Sequence, residues 1–172
     1  MNHVSVPNRK KTPDMNKLVK EYGDSLLRMC FLYLKDLHMA EDAVQDTFLK
    51  VYKNHMNFKG DCEEKTWITR ISINVCKNYL RSSWRKRIDE AAALENITVG
   101  NSTDTLQDEA LLLEIMKLSQ KYKEVILLFY YQSMKIREIA MVLNITENTV
   151  SVRLLRAREI LKKKLKGWYY DE

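Results

Sequence analysis

Two short apolar stripes at helical spacing, separated by only a few residues, constrain the fold of the C-terminal part of this chain. The first stripe consists of Ile136, Ile139, Ala140 and Leu143, and the second consists of Val150, Leu154, Ala157 and Leu161. Because the segment between them is so short, the two helices must pack at a steep angle. The pattern predicts a helix–turn–helix, a unit that places its second helix in the major groove of DNA.

The residues between the stripes suit the turn that this unit needs. Asn144 stands where Gly is commonest, and Asn is the next-best residue for a left-handed backbone. Thr146 offers a hydroxyl that can cap the second helix, and Ala140 is small enough for the helices to cross closely. Four lysines between residues 162 and 166 then provide charge for phosphate contacts or for a solvated face.

Helical periodicity extends along most of the chain, whereas strand-like alternation is weak. The 172 residues include only four Gly and two Pro, and both Pro lie within the first 13 residues. We therefore expect an all-α fold. The predicted helices span about residues 15–35, 39–55, 65–87, 106–118, 120–132, 135–143 and 147–166.

The charge is unevenly distributed and divides the chain into two basic blocks with an acidic stretch between them. Residues 1–88 have a net charge of +7, residues 89–108 have −5 and residues 109–172 have +4. This distribution favours binding to a polyanion by both basic blocks. A solvated basic surface without a ligand is the alternative.

We predict two small helical domains, at residues 14–88 and 109–168, joined by the acidic stretch. Residues 89–108 include no aromatic or basic side chain, and this composition is typical of a flexible linker. The alternative is a short helix at residues 89–95 within one continuous fold. Residues 1–13 are expected to form a disordered basic tail.

The sequence contains no pattern typical of a metal site, a cofactor site or a catalytic centre. No C-x-x-C occurs, and the three His residues complete no zinc pattern. We expect Cys30 and Cys76 to be buried and reduced, which suits a cytoplasmic protein. The longest apolar run, residues 125–131, is too short to span a bilayer, and no signal peptide is predicted. We expect neither an enzyme nor a membrane protein.

Residues 65–88 contain seven Lys and Arg residues and no acid, with aromatic side chains interleaved. Cations can bind phosphates while aromatic rings stack on unpaired bases, so this mixture favours single-stranded nucleic acid. Trp67 shares a helical face with Ile71, and it can therefore be either a core residue or a base contact. Trp84 follows the last apolar position and is the better candidate for exposure.

The helix before this basic segment has the opposite character. Asp42, Asp46 and Leu49 fall on one helical face, away from the apolar stripe that includes Phe48 and Val51. An acidic face on a DNA-binding unit would repel phosphate, and it therefore suggests a basic protein partner. A solvated helix face is the alternative interpretation.

Four motifs in this order resemble the extracytoplasmic-function (ECF, group IV) sigma factors of bacterial RNA polymerase. They are AEDAVQDTFLKVY at 40–52, FKGDCEEKTWITRISINVCKNYLR at 58–81, KYKEVILLFYYQSMKIREIAMVL at 121–143 and TENTVSVRLLRAR at 146–158. The resemblance extends over residues 18–165. It implies a specificity subunit that recruits core polymerase, recognises the −35 and −10 promoter elements and promotes melting.

The resemblance also implies a role for particular residues of the N-terminal domain. Asp42, Gln45, Asp46 and Leu49 would dock on the clamp coiled coil of the largest polymerase subunit. The −10 element, with a base flipped out of the opened strand, would meet the loop and helix that follow. The residues implied there are Phe58, Lys59, Trp67, Asn74, Lys77, Asn78, Arg81 and Trp84.

The C-terminal domain would meet the polymerase beta flap and read the −35 element. The groove-facing residues implied are Asn148, Thr149, Ser151, Val152, Leu155 and Arg156. Arg156 could bind guanine or clamp a phosphate, while Val152 and Leu155 could meet thymine methyl groups. Ser151 stands where the family usually has a basic residue, so the usual −35 readout does not transfer directly.

The family further implies control by an anti-sigma factor, often membrane-bound, that occupies the polymerase-binding surfaces and responds to envelope or extracellular stress. One alternative is a helix–turn–helix regulator with a sensory N-terminal domain, although the sequence predicts no strands or pocket for one. Another alternative is a protein-interaction adaptor whose basic faces are incidental.

Overall fold

The computed structural model describes residues 13–87 and 106–169, with side chains described except at 83–87, 106–108 and 166–169. Within those ranges the chain is helical and has no strand, so the all-α prediction is confirmed. The helices are α1 (Met15–Leu34), α2 (Leu37–Asn54), α3 (Glu64–Arg87), α4 (Leu106–Lys117), α5 (Gln120–Ile126), α6 (Ile136–Leu143) and α7 (Glu147–Tyr169). The predicted tail and acidic linker lie almost wholly outside the described residues.

Helices α1 to α3 pack together as the first helical unit. Side chains cap the first two helices: Asp14 accepts a hydrogen bond from the backbone N–H of Lys17 at 3.1 Å, and Asp36 accepts one from Met39 at 2.8 Å. Lys35 has a φ of 63° and ends α1, which allows α2 to fold back against it. A short 3₁₀ turn then follows α2 at His55–Asn57.

The first unit has a tightly packed interior in which the two cysteines of the helices meet. Cys30 and Cys76 are fully buried, and their Sγ atoms lie 3.5 Å apart. The hydroxyl of Ser72 lies 3.3 Å from the Sγ of Cys30. Both cysteines are free in this structure, and their predicted burial is confirmed.

The second unit contains α4 to α7. Helix α5 continues into a wider π turn at Leu127–Tyr131, where the backbone N–H of Gln132 bonds to the carbonyl of Leu127 at 3.1 Å. The sequence predicted one regular helix here. The extra residue in the turn carries the side chain of Gln132 into the interior, where only 2% of it is exposed.

Helices α6 and α7 form the predicted helix–turn–helix. Asn144 has a left-handed backbone with a φ of 54°, and the hydroxyl of Thr146 accepts the N–H of Thr149 at 3.1 Å. At the start of α6, the Glu138 carboxylate accepts the backbone N–H of Lys135 at 2.6 Å. The second apolar stripe, from Val150 to Leu161, is buried as predicted.

The two units pack directly against each other. Helices α1 and α3 contact α4, α6 and the π turn, and the buried apolar residues of both units form one continuous cluster. Sequence patterning predicted two domains and a linker, and it did not predict this packing. The junction places the C-terminal half of α3 beside α5 and α7.

Candidate nucleic-acid and partner interfaces

A groove of about 840 Å³ lies between α1 and α2. It is lined by large apolar side chains that remain exposed: Val19 is 48% exposed, Leu49 is 55% exposed and Tyr52 is 56% exposed. Asp24 and Glu41 add negative charge to the same lining. Exposed apolar surface edged by charge is typical of a site that binds another protein.

Two of the four residues predicted to bind polymerase lie in this groove. Gln45 and Leu49 line the groove, whereas Asp42 is exposed outside its lining. Asp46 is half-buried and accepts a hydrogen bond from the hydroxyl of Tyr79 at 2.9 Å. Burial, and then the hydrogen bond and charge of Asp46, raise the pKa of Tyr79 to about 12. Asp46 therefore also ties α2 to α3.

The loop between α2 and α3 brings Phe58 onto Trp67. Their ring centroids are 4.9 Å apart with an interplanar angle of 27°, and His55 meets the Trp67 ring edge-on at 6.2 Å. Trp67 is half-buried and packs against the core, and Phe58 covers one face of its ring. Lys59 is exposed on the loop, and Gly60 has a φ of 77° that favours glycine.

The outer face of α3 carries four of the eight predicted −10 residues. Asn74, Asn78 and Arg81 are exposed along one stripe of the helix. Lys77 belongs to the same stripe, but its side chain is only 26% exposed and its Nζ lies 3.4 Å from the Glu124 carboxylate. Trp84 lies in α3, and its side chain is outside the described residues.

A buried polar network joins α1, α3 and α5 at the junction of the two units. The Tyr33 hydroxyl donates to the Glu124 carboxylate at 2.7 Å, and the Gln120 amide donates to the Tyr33 oxygen at 2.5 Å. Glu124 is only 5% exposed, and Lys77 provides its opposite charge. Burial, followed by the charge of Glu124, raises the pKa of Tyr33 above its usual range.

Further polar contacts at the junction involve the start of α3. Lys65 donates to the backbone carbonyl of Gln132 at 2.5 Å, and the Gln132 amide donates to the carbonyl of Ser25 at 2.9 Å. The Thr66 hydroxyl lies 3.5 Å from the Glu138 carboxylate. The sequence pattern did not predict these contacts. It showed only that polar residues lie beside an apolar run.

Lys123 is a buried cation at this junction, and its burial is expected to destabilise the folded chain at neutral pH. It is 6% exposed, and burial together with the charge of Lys35 lowers its pKa to about 8. No acid lies within 4.0 Å of its amine among the described residues. Lys35 belongs to the first unit and Lys123 to the second, so this repulsion acts across the junction.

The outer face of α7 carries the residues predicted to read the −35 element. Asn148, Ser151 and Arg156 are exposed, as are the apolar Val152 at 40% and Leu155 at 58%. The Ser151 hydroxyl donates to its own helix, at the Glu147 carbonyl 3.0 Å away. Thr149 is half-buried near the helix start, and its hydroxyl lies 2.8 Å from that of Thr146.

A shallow depression of about 260 Å³ adjoins this face of α7. Four predicted −35 residues line it: Asn148, Thr149, Val152 and Arg156. Three further residues in its lining were not predicted, namely Lys121, Tyr122 and Arg153. Periodicity in α7 could have indicated Arg153, whereas the two α5 residues reach this site only through the tertiary fold.

Comparison with known families identifies the two units. The family described as Sigma-70 region 2 matches residues 18–86, and the family described as Sigma-70, region 4 matches residues 108–161. The ECF RNA polymerase sigma factor SigW of Bacillus subtilis is 31% identical over 166 residues, which cover 87% of each chain. The chain belongs to the ECF sigma factors.

Another ECF sigma factor and a solved sigma factor structure are also similar to this chain. The ECF RNA polymerase sigma-E factor of Haemophilus influenzae is 29% identical and covers 87% of this chain and 86% of its own. The fold resembles RpoE of Bartonella quintana, solved in complex with the anti-sigma factor NepR, with a TM-score of 0.79 and 22% identity. That match covers 92% of this chain and 99% of RpoE. The predicted two-unit sigma fold is confirmed.

No helix within 13–87 or 106–169 is long and apolar enough to cross a membrane. Over the same ranges, no group of three or more His, Cys, Asp or Glu residues is arranged to hold a metal ion.

Proposed function

We propose that this ECF sigma factor is a non-catalytic, cytoplasmic subunit that attaches to core polymerase through the α1–α2 groove and grips promoters at two points. The outer face of α3 would bind the −10 strand, and the outer face of α7 would read the −35 duplex. The observation that carries this proposal is that three surfaces of different chemistry lie at separate places on one chain. The acidic, apolar groove suits a protein, while the α3 and α7 faces carry cations for DNA.

The α1–α2 groove supports the polymerase contact. Its exposed apolar residues, including Val19 and Leu49, could bury the apolar face of a partner helix. Asp24 and Glu41 in the lining, with Asp42 nearby, would favour basic residues on that partner. We expect the partner helix on the polymerase clamp to present an apolar face and basic residues to this groove.

The −10 contact is supported by the chemistry of α3 and the preceding loop. Amide groups of Asn74 and Asn78 can hydrogen-bond the edges of unpaired bases, and Arg81 can bind a phosphate. The stacked pair of Phe58 and Trp67 gives the loop a rigid support against the helix. Lys77 must leave Glu124 before its amine can neutralise a phosphate.

The −35 contact is supported by the mixed face of α7. Val152 and Leu155 are exposed apolar side chains on a helix that otherwise presents polar groups, and thymine methyl groups are suitable partners. Arg156 beside them can bind guanine or phosphate. Ser151 bonds to its own helix, so sequence readout would depend on its neighbours.

We further propose that an anti-sigma factor controls this protein, with envelope or extracellular stress as the signal. The Bartonella RpoE to which the fold is similar was solved with such an inhibitor. The exposed groove between α1 and α2 offers an inhibitor helix the same apolar and acidic chemistry that polymerase would use.

Selection of genomic DNA fragments separates this function from that of an ordinary helix–turn–helix regulator. The chain is incubated with sheared genomic DNA, alone and with core polymerase, and the retained fragments are sequenced. We expect specific fragments only when core polymerase is present, because each unit alone offers a small contact area. Equal enrichment by the chain alone would assign it to the regulators and contradict the proposal.

A further inference from the structure

A second cleft, of about 740 Å³, opens where α3 meets α5 and α7 at the junction of the two units. Its polar lining consists of Lys77, Arg81, Gln120, Lys121, Glu124 and Arg153, and Leu80 supplies an apolar wall. Small-molecule sites typically have volumes of about 300–1,000 Å³. The cleft therefore has the size of a small-ligand site, and cations dominate its lining.

Much of the positive charge in this cleft is not neutralised. Among the described residues that line the cleft, Glu124 is the only acid, and its carboxylate is already held by Lys77, Tyr33 and Gln120. Among the described residues, no acid lies within 4.0 Å of the charged groups of Arg81, Lys121 or Arg153. Three like charges around one concavity repel each other, and a bound anion would offset that repulsion.

The types of cation indicate which anion fits. A guanidinium group binds two phosphate oxygens at once, and an ammonium group adds a point charge. Two arginines and a lysine therefore suit a short chain of phosphates better than a single carboxylate. Gln120 and Leu80 beside them offer a hydrogen-bonding amide and an apolar surface for a nucleoside.

We propose that this cleft binds a small ligand that carries two or more phosphates, such as a nucleoside triphosphate. The ligand would contact α3 in one unit and α5 and α7 in the other, and would hold the two units together. It would also occupy Arg81, which the proposed −10 contact uses. Ligand binding and promoter binding therefore compete in this account.

Isothermal titration of the full chain tests the site. Sodium tripolyphosphate, ATP and inorganic phosphate are titrated separately at about 0.1 M salt, where charges are screened beyond about 10 Å. We expect one saturable site with a Kd of about 0.1 mM or lower for tripolyphosphate and ATP, and binding at least about tenfold weaker for phosphate. Tighter binding of ATP than of tripolyphosphate would identify the ligand as a nucleotide.

Charge-matched variants locate the site. Arg153→Gln and Lys121→Gln should each weaken tripolyphosphate binding about tenfold, because each removes a charged hydrogen bond. Arg28→Gln removes the same charge from an exposed position on α1 outside the cleft, and should leave the Kd unchanged. Circular dichroism checks that all three variants retain their helices.

Three outcomes would overturn the proposal. The first is an equal loss of affinity in all three variants, which indicates only general charge attraction. The second is the absence of saturable tripolyphosphate and ATP binding to the unmodified chain. The third is saturable binding of a single-stranded oligonucleotide, titrated under the same conditions, without binding of tripolyphosphate or ATP, which would make the cleft part of a nucleic-acid-binding surface.

Discussion

The hydroxyl of Tyr33 in α1 donates a 2.7 Å hydrogen bond to the buried carboxylate of Glu124 in α5, and so links the two units of this sigma factor. The residues are 91 positions apart in the chain. Lys77 of α3 shares the same carboxylate at 3.4 Å. The junction thus connects a proposed promoter contact to the packing of the two units, and several expected outcomes depend on it.

Replacing Tyr33 by Phe should lower the free energy of unfolding by about 1–2 kcal/mol, because a buried charged acceptor loses a donor. Lys77 and Gln120 remain beside Glu124, which limits the loss. Urea denaturation followed by circular dichroism measures the change. Tyr52→Phe is the matched control on an exposed tyrosine, and its effect should stay within about 0.5 kcal/mol. Equal changes in the free energy of unfolding of the two variants would show that the hydrogen bond from Tyr33 to Glu124 does not stabilise the chain.

Lys123 should make stability increase with pH in the mildly alkaline range. Its pKa is lowered to about 8 in the folded chain, from an ordinary value of 10.5. Between these two values the unfolded chain binds more protons than the folded chain, so the free energy of unfolding rises with pH. Lys123→Met should be more stable than the unmodified chain at neutral pH.

Denaturation at about pH 7.5 and pH 9.5 tests this expectation, because these values lie on either side of the lowered pKa of Lys123 and below its ordinary value. Between these pH values, the free energy of unfolding of the unmodified chain should rise more than that of Lys123→Met. The Lys121→Met variant retains Lys123, so its free energy of unfolding should rise about as much as that of the unmodified chain. Lys121 is the exposed neighbour and serves as the control. The same pH dependence in both variants would show that burial of Lys123 is not its cause.

Helical periodicity was sufficient to predict the helices and the helix–turn–helix. Asn144 and Thr146 have the predicted conformation and cap because turn chemistry is local. Periodicity identifies a buried face but not the element that covers it. The contact between Tyr33 and Glu124 was therefore missed. The hydrogen bond from Tyr79 to Asp46 was missed for the same reason.

Replacing Leu49 by Lys should weaken binding to core polymerase by at least about tenfold, because a charge would enter the apolar groove. Leu49 is 55% exposed and lines the groove, so the substitution does not disturb the core. Leu37→Lys is the matched control, since Leu37 is 50% exposed on the same helix but outside the groove. Fluorescence anisotropy with labelled chain measures both affinities. Equal affinities would place the polymerase contact elsewhere.

Replacing Arg156 by Ala should reduce transcription from a cognate promoter about tenfold, since one bidentate contact contributes about 1–3 kcal/mol of discrimination. A change of the −35 base that Arg156 contacts should reduce transcription by the Arg156→Ala variant little further, because this variant has already lost that interaction. Arg137→Ala, exposed on α6, is the control and should leave transcription unchanged. Additive losses from protein and promoter changes would argue against the Arg156 assignment.

Mapping of transcription starts in a purified system tests whether this chain directs initiation at promoters. Core polymerase and this chain are supplied with genomic DNA, and the 5′ ends of the transcripts are sequenced. We expect discrete starts that share −35 and −10 elements and that disappear when the chain is omitted. Transcripts identical to those of core polymerase alone would contradict this expectation.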